Sequence, residues 1–252
     1  MDNDASIIEI FSSYQGEGTR VGERQLFIRF QDCELSCKFC DTPLTFVSNK
    51  FCRLESPAFS KKYQHLPNPI SQATLHKIVS DFNDETIVLT GGEPLQKVYF
   101  LKEWLPQVRT LHPSRKIMIE TAGVHFGEFM ELAEWIDIVS MDIKLPSSTG
   151  MHPWWREHEA FLKAVLRMSP KKELYIKIVI SSETEEKDIS RAMSLIASMD
   201  ASIPVILQPA SLYGRFRAIP TIDQIAQWED KMKPVLKNIR IIPQVHKQMG
   251  IL

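Results

Sequence analysis

The sequence lacks an apolar run that could cross a membrane, because no stretch approaches the roughly 20 residues that a transmembrane helix needs. The first four residues, Met-Asp-Asn-Asp, are acidic, whereas a secretory signal begins with basic residues followed by apolar ones. These two absences argue against a membrane partner and against export. We therefore expect a protein of the cytoplasm.

An excess of charge of either sign is also lacking. Lysine and arginine total 30 and aspartate and glutamate total 31, which gives a formal net charge of −1. A protein that depends on binding nucleic acid or an anionic membrane usually carries a clear positive excess. We therefore expect no nucleic-acid partner, and any anionic ligand must be held by local charges.

Cysteine is scarce, with four in 252 residues, but three of the four lie close together at Cys33, Cys37 and Cys40. A close group of thiols in a reducing compartment is typical of a metal or redox site and not of a disulfide framework. Thiolates are the usual ligands of iron–sulfur clusters, and this spacing lets all three bind one [4Fe–4S] cluster. Three protein ligands leave one iron open to another ligand.

Two other interpretations of the cysteines stay open, a structural zinc site and a set of buried structural thiols. Structural zinc takes four protein ligands, generally as two pairs. Cys52 is the remaining cysteine, and it lies without a partner in an irregular segment. We favour the cluster and interpret Cys52 as a residue outside the site.

Predicted strands alternate with predicted helices along the chain, without an internal repeat or a break in composition, so we expect one α/β domain over residues 1–252. Such alternation predicts βαβ units and a mostly parallel sheet. Segment 48–69 contains Pro57, Pro67 and Pro69, and we expect an irregular surface insertion there, with room for a short helix. The predicted strands are 25–30, 86–89, 116–120, 136–141, 174–180, 204–208 and 239–242, and the predicted helices are 71–83, 98–110, 126–134, 157–168, 184–198 and 222–236.

The cysteine spacing, C-x3-C-x2-C, resembles the signature of the radical S-adenosylmethionine (radical SAM) superfamily. Phe39 stands between the second and third cysteines, similar to an aromatic residue that packs near the adenine in that superfamily. Thr90-Gly91-Gly92-Glu93-Pro94 follows a predicted strand and resembles the superfamily's GGEP motif. Together the two motifs are a stronger indication than either one alone.

The other motifs are similar to those of one family in that superfamily, the 7-carboxy-7-deazaguanine synthases. The resemblance covers nearly the whole chain. Its motifs are FSSYQGEG at 11–18, FIRF at 27–30, the Asp-Thr pair at 41–42, LQPA at 207–210 and PQVHK at 243–247.

The resemblance implies a partial (β/α)6 radical SAM barrel, with some helices trimmed and an insertion near the cluster. It implies a carbon–nitrogen lyase of queuosine biosynthesis that converts 6-carboxy-5,6,7,8-tetrahydropterin to 7-carboxy-7-deazaguanine by a radical ring contraction that releases ammonia. The implied cofactors are a [4Fe–4S] cluster, S-adenosylmethionine and Mg²⁺. A homodimer and an electron donor of the flavodoxin or ferredoxin type are implied as partners.

The resemblance also implies which residues bind the pterin substrate. Arg29 would meet the substrate carboxylate, and a guanidinium suits that task because it can bind both oxygens. Thr42 would be a ligand of Mg²⁺, a cation that keeps several waters and few protein ligands. The residues implied for the substrate are Tyr14, Gln15, Gly16, Glu17, Arg29, Thr90, His246 and Leu252.

A further set is implied for the cluster and S-adenosylmethionine. Glycine lets the backbone approach the methionine amino group, and Glu93 offers a carboxylate to that cation. The family usually shows Ser-Pro-Lys where this chain has Asp142-Ile143-Lys144, so the first two positions depart from the pattern. The residues implied for S-adenosylmethionine, which include the cluster ligand Cys40, are Phe39, Cys40, Asp41, Gly92, Glu93, Asp142, Ile143, Lys144 and Gln208.

The C-terminal residues have two interpretations. In the family, the histidine that matches His246 and the terminal carboxylate, here that of Leu252, both contact the pterin. Terminal residues are ordinarily frayed. Met249 and Ile251 are apolar, which favours a segment docked on the protein over a frayed one.

Two other functions share part of this pattern. An enzyme that generates a glycyl radical on a partner protein has the same cysteines and GGEP motif, but it does not need QGEG, Arg29 or PQVHK. A non-catalytic iron–sulfur or zinc module would leave GGEP and the strand–helix alternation without a ligand to bind. We therefore favour the synthase.

Overall fold

Ten strands form one continuous sheet in the computed structural model of this protein, which describes residues 4–251. The strands are β1 (Asp4–Ala5), β2 (Ile7–Tyr14), β3 (Arg24–Phe30), β4 (Phe51–Glu55), β5 (Tyr63–Pro67), β6 (Ile70–Ser71), β7 (Thr86–Gly91), β8 (Lys116–Thr121), β9 (Ile138–Asp142), β10 (Glu173–Ile180), β11 (Val205–Pro209) and β12 (Ile239–Ile241). The helices are α1 (Gln72–Ser80), α2 (Val98–Leu111), α3 (Phe126–Leu132), α4 (Pro146–Thr149), α5 (Trp155–Leu166), α6 (Glu186–Asp200), α7 (Ile222–Met232) and α8 (Val245–Met249).

The order across the large sheet is β12-β11-β10-β9-β8-β7-β3-β2-β4-β5, while β1 and β6 pair separately. Strand β3 and strands β7 to β12 are all parallel, and β2 lies antiparallel to β3. The two edge strands, β12 and β5, do not pair, so the barrel is open. The prediction of an α/β fold of the partial-barrel type is confirmed.

Alternate side chains of each strand face opposite sides of the sheet. Ile87 and Leu89 of β7 pack in the main core together with buried helix residues such as Trp104 of α2, whereas Val88 lies in a separate cluster on the other face. We call this second group the inner cluster. It consists of Phe11, Phe27, Val88, Met118, Ile138, Tyr175 and Ile206, with Ile242 packed against it.

Segment 48–69 is where the sequence prediction is wrong. It forms two antiparallel strands, β4 and β5, and β4 pairs in parallel with β2, so the segment extends the sheet. Strand β2 itself was not predicted. Its Glu9, Ser12 and Ser13 are buried polar residues that obscure the apolar pattern. Pairing with neighbouring strands outweighs the weak local propensity of these segments.

The other predicted strands and helices are present with shifted ends. Helix α8 was not predicted from the sequence and follows β12 directly. Within residues 4–251, no helix is both long enough and apolar enough to cross a membrane.

Replacing Leu101 by alanine should lower the free energy of unfolding by about 2–5 kcal/mol, because it leaves a cavity beneath α2. Leu101 is fully buried, whereas Tyr99 on the same helix is 73% exposed. We expect Tyr99→Ala to change the free energy by less than about 0.5 kcal/mol. Anaerobic urea unfolding measures both variants, and equal losses would contradict the packing of α2.

Candidate active site

On each parallel strand that contributes to the inner cluster, a polar residue stands two positions after the cluster member. Since residues two positions apart share a face, each of these side chains lies next to a member of the inner cluster, towards the carboxyl end of its strand. The carboxyl ends of parallel strands meet at one edge of the sheet, where ligands bind in such folds. The polar residues are Arg29, Thr90, Glu120, Ser140, Lys177 and Gln208, which follow Phe27, Val88, Met118, Ile138, Tyr175 and Ile206 respectively.

These six side chains line one cavity of about 510 Å³. The cysteine loop between β3 and β4, the 15–17 loop after β2 and helix α8 form its other walls. The cavity thus brings together residues that are far apart in sequence. The residues predicted from sequence that line it are Tyr14, Gln15, Gly16, Glu17, Arg29, Cys33, Cys37, Phe39, Cys40, Asp41, Thr42, Thr90, Gly92, Asp142, Lys144, Gln208 and His246.

All three clustered cysteines line the cavity with free, half-buried thiols. Cys33 and Cys37 pack against an apolar group of Leu35, Ala122 and Val124. Burial raises the pKa of all three thiols, that of Cys33 to about 12, so a bound metal is needed to keep them as thiolates at neutral pH. Cys52 is fully buried in the main core and does not line the cavity.

The donor set fits a [4Fe–4S] cluster better than a single metal ion. Among residues 4–251, no three His, Cys, Asp or Glu side chains converge as ligands of one ion. A structural zinc needs such convergence. A [4Fe–4S] cubane places its thiolates further apart, because each of them binds a different iron of the one cluster. With Cys52 elsewhere, three thiolates would leave the fourth iron open.

Glu120 joins two residues of the cavity wall. Its carboxylate accepts hydrogen bonds from Gln15 Nε2 at 3.0 Å and from Thr90 Oγ1 at 2.7 Å. Gln15 is almost fully buried, donates also to Gln25 at 3.1 Å, and accepts from the backbone N–H of Glu17 at 3.0 Å. The 15–17 loop is therefore fixed to the ends of β7 and β8.

A second group of charges joins the 15–17 loop to β10 and α8. Lys177 Nζ donates to Glu17 at 2.6 Å, and Gln244 Nε2 donates to both Glu17 and Asp41 at 2.8 Å. Burial alone would raise the pKa of Glu17, but the Lys177 ammonium and these hydrogen bonds outweigh it and lower the pKa to about 2. Glu17 is therefore an anion at neutral pH. Lys247 Nζ contacts Asp41 at 2.6 Å and ties α8 to the cysteine loop.

Two residues of the cavity lining each carry a buried acceptor without a partner among the described residues, Asp142 Oδ1 and Gln208 Oε1. The other carboxylate oxygen of Asp142 binds Lys144 Nζ at 2.8 Å and lies 3.4 Å from Lys177 Nζ. The Lys144 ammonium also lies 5.5 Å from the centre of the Phe39 ring. A buried acceptor without a hydrogen bond is costly, so both oxygens fit a ligand that supplies N–H donors.

Arg29 extends from β3 into the cavity and is held by Glu9 of β2, whose Oε1 accepts from Arg29 Nε at 2.9 Å. The guanidinium also lies 5.8 Å from the centre of the Phe11 ring. Arg29 is thereby oriented in the absence of any ligand.

Helix α8 lies against the 15–17 loop. The backbone N–H of Val245 donates to the Gly16 carbonyl at 3.0 Å, and a Cβ at Gly16 would overlap the His246 ring. This close approach requires glycine. Burial lowers the pKa of His246, which favours the neutral ring at neutral pH. The predicted contact of Leu252 falls outside the described residues.

Comparisons with known proteins agree with this geometry. A family model described as a 4Fe-4S single cluster domain matches residues 14–156. The 7-carboxy-7-deazaguanine synthase of Geobacter sulfurreducens is 36% identical over 98% of this chain and 98% of its own. The chain belongs to the 7-carboxy-7-deazaguanine synthase family.

The family predicted from sequence is thus confirmed, and with it a radical SAM lyase that uses a 4Fe–4S cluster and S-adenosylmethionine. Two solved structures share the fold at low identity. QueE from Escherichia coli has a TM-score of 0.59 at 20% identity, covering 96% of this chain and 95% of its own. A radical SAM methyltransferase from Sphaerobacter thermophilus has a TM-score of 0.58 at 12% identity, covering 94% of this chain and 77% of its own.

Two residues that the family resemblance implies for the cofactor lie outside the cavity lining. Glu93 is fully buried, and its carboxylate accepts from Ala122 N at 2.8 Å and from Thr121 Oγ1 at 2.9 Å. It therefore holds the ends of β7 and β8 together, and its contact with the cofactor's amino group stays a prediction from the sequence. Ile143 is fully buried in the main core, so its side chain does not reach the cavity either.

Several charged or amide residues of the family site were missed from sequence. From sequence, Gln244 and Lys247 stand only within the PQVHK motif, Glu120 only at the end of predicted strand 116–120, and Lys177 only within predicted strand 174–180. Glu120 and Lys177 could have been identified from their spacing, because each stands two residues after an apolar residue on the same face of its strand. Glu9 has no comparable signal, because strand β2 was not predicted.

Replacing Gly16 by alanine should displace His246 and loosen α8, because the new Cβ occupies the place of the imidazole. We expect kcat/KM of the reconstituted enzyme to fall by about 10- to 100-fold. Limited trypsin digestion gives a second measurement, since a loosened α8 exposes Lys247 to cleavage.

Gly127→Ala is the matched control, because a Cβ at Gly127 meets nothing within 4 Å. It should leave turnover and trypsin cleavage at the wild-type level. Wild-type behaviour of Gly16→Ala in both measurements would contradict the docking of α8 on the 15–17 loop.

Proposed function

We propose that this enzyme converts 6-carboxy-5,6,7,8-tetrahydropterin to 7-carboxy-7-deazaguanine with release of ammonia. One observation carries the proposal: the three cluster cysteines line the same cavity as the six polar residues that stand two positions after members of the inner cluster. An enzyme of this family needs the cluster, S-adenosylmethionine and a polar substrate side by side, and this cavity brings the residues implied for all three together. The product would enter queuosine biosynthesis.

The pterin would bind in the cavity beside the 15–17 loop and the ends of β7 and β8, which the Gln15–Glu120 bond joins. Tyr14, Gln15, Gly16 and Glu17 would contact it from one side, and Thr90 and Glu120 from the other. A pterin presents several N–H donors along its guanidine-like edge, and carboxylates are strong acceptors for them. The hydrogen bonds that Gln15 and Thr90 donate to Glu120 hold that acceptor in place before the substrate arrives.

The carboxyl group of the substrate would bind at Arg29, which Glu9 orients. His246, neutral and close to Gly16, would contact the pterin from α8. Thr42 lines the cavity next to Asp41 and would supply one hydroxyl ligand to Mg²⁺, with the substrate carboxylate and water as the others.

Cys33, Cys37 and Cys40 would hold the cluster. The unpaired oxygens of Asp142 and Gln208 would accept N–H groups of S-adenosylmethionine, and Phe39, Asp41, Gly92 and Lys144 would complete its site. When bound, the cluster and S-adenosylmethionine supply the 5′-deoxyadenosyl radical that the ring contraction requires. Docked α8 and the buried walls would keep water away from that radical.

A homodimer, an electron donor of the flavodoxin or ferredoxin type and a cytoplasmic location stay predictions from the sequence. The contact of the Leu252 carboxylate with the pterin stays one as well.

The direct test is anaerobic incubation of the reconstituted enzyme with S-adenosylmethionine, a reductant, Mg²⁺ and the carboxy-tetrahydropterin. We expect deazaguanine product and ammonia, and a lower rate after Mg²⁺ is removed by chelation. Cys33→Ala should lose the visible absorbance of the cluster and all cleavage of S-adenosylmethionine, since it removes one of three ligands.

Cys52→Ala is the matched control, because it also removes a cysteine but one in the main core. It should keep the cluster and the activity. If no deazaguanine forms and 5′-deoxyadenosine appears only when a protein substrate is added, the enzyme is an activase instead. No cleavage of S-adenosylmethionine under any condition would indicate a non-catalytic module.

A further inference from the structure

Three charged residues form a row across the strands next to the cavity. In the strand register, Glu9 of β2 lies opposite Arg29 of β3 on one side and opposite Arg53 of β4 on the other. Side chains that lie opposite each other in paired strands share a face. All three residues line the cavity, so the hairpin formed by β4 and β5 contributes Arg53 to it.

The two guanidiniums bind opposite oxygens of one carboxylate. Glu9 Oε1 accepts from Arg29 Nε at 2.9 Å, and Glu9 Oε2 accepts from Arg53 Nη2. The Glu9 side chain is only 10% exposed, whereas those of Arg29 and Arg53 are 21% and 39% exposed. The carboxylate is thus covered while both guanidiniums remain accessible.

The charges of the row decide what it can bind. Arg29 and Glu9 alone are a neutral pair, which attracts an anion only weakly. Arg53 adds one positive charge, so the row as a whole carries a net charge of +1 towards the cavity. Each arginine donates to Glu9 from one nitrogen. A guanidinium has five N–H donors, so both arginines retain donors for a ligand.

Arg53 is also held in place from the side of its own hairpin. Its guanidinium lies over the ring of Tyr63 of β5, 4.7 Å from the ring centre. Contact with an aromatic face favours the cation and restricts its orientation. Glu9 and Tyr63 therefore position the Arg53 guanidinium from two sides before a ligand binds.

We propose that Arg53 is a second residue that binds the substrate's carboxylate, together with Arg29. This inference rests on the proposed function, because it takes the ligand to be a carboxylated pterin. The hairpin formed by β4 and β5 then has a role in the site: it brings the charge that turns a neutral Arg29–Glu9 pair into an anion site. A charge-assisted bond from each arginine would reach the carboxylate.

The test compares two ligands, oxidised 6-carboxypterin and the same pterin without its carboxyl group. Their dissociation constants are measured by fluorescence titration of the anaerobic holoenzyme in the presence of S-adenosylmethionine. We expect the wild type to prefer the carboxylated ligand, and Arg53→Gln to reduce that preference by about 10- to 100-fold while binding of the uncharged ligand stays the same.

Arg24→Gln is the matched control. Arg24 also lies over an aromatic ring, that of Phe59 at 5.0 Å, and near a carboxylate, that of Asp84 at 3.3 Å, but it is not part of the cavity wall. It should keep the wild-type preference. The double variant of Arg29→Gln and Arg53→Gln should lose more of the preference than Arg29→Gln alone, because each arginine binds the carboxylate itself.

Three outcomes separate the hypotheses. A wild-type preference in Arg53→Gln overturns the inference, and so does a double variant no worse than Arg29→Gln, which would show that Arg53 only orients Arg29. If the wild-type enzyme binds neither pterin, the proposed function fails and the inference fails with it.

Discussion

The whole site depends on the alternation of side chains between the two faces of each strand. On the inner face, one residue of each parallel strand fills the inner cluster, and the residue two positions later reaches the cavity. Phe27 thus fixes the place of Arg29, and Met118 fixes that of Glu120. A slip of one residue would move every one of these side chains to the opposite face. The apolar cluster therefore sets the register of these polar side chains, and two of its members, Phe11 and Phe27, also line the cavity.

Buried charges add a second constraint. Each ion removed from water costs several kcal/mol unless it is paired and hydrogen-bonded. Glu17, Lys177, Asp142 and Lys144 meet this condition by alternating in sign, with contacts of 2.6, 3.4 and 2.8 Å between successive members. This chain of charges links the 15–17 loop, where the substrate is expected, to the end of β9, where the cofactor is expected. Since the charges already hold one another, a ligand meets a site that needs little rearrangement, which favours binding.

The parallel part of the fold could be predicted from sequence because its strands are apolar and end in glycine or polar residues, as β7 does at Thr90 and Gly91. The cysteine loop was predictable for a different reason, since its spacing is itself the signature. Strand β2 could not be predicted from sequence. Its pairing with β3 and β4 compensates the burial of Glu9, and no local pattern shows that pairing. Glu93 shows what a motif leaves out. Its place in the motif implies contact with the cofactor, whereas only the packed structure shows that Thr121 and Ala122 donate to its carboxylate.

An anaerobic crystal structure of the holoenzyme with S-adenosylmethionine and 6-carboxypterin tests the central claim most directly, that one preformed cavity holds both the cluster and the substrate. It should show the cluster on Cys33, Cys37 and Cys40 with its fourth iron bound by S-adenosylmethionine. The pterin should contact both Gln15 and Glu120, which are bonded to each other, with its carboxylate at Arg29. A cluster with a fourth protein ligand, or a pterin bound outside this cavity, would contradict that claim.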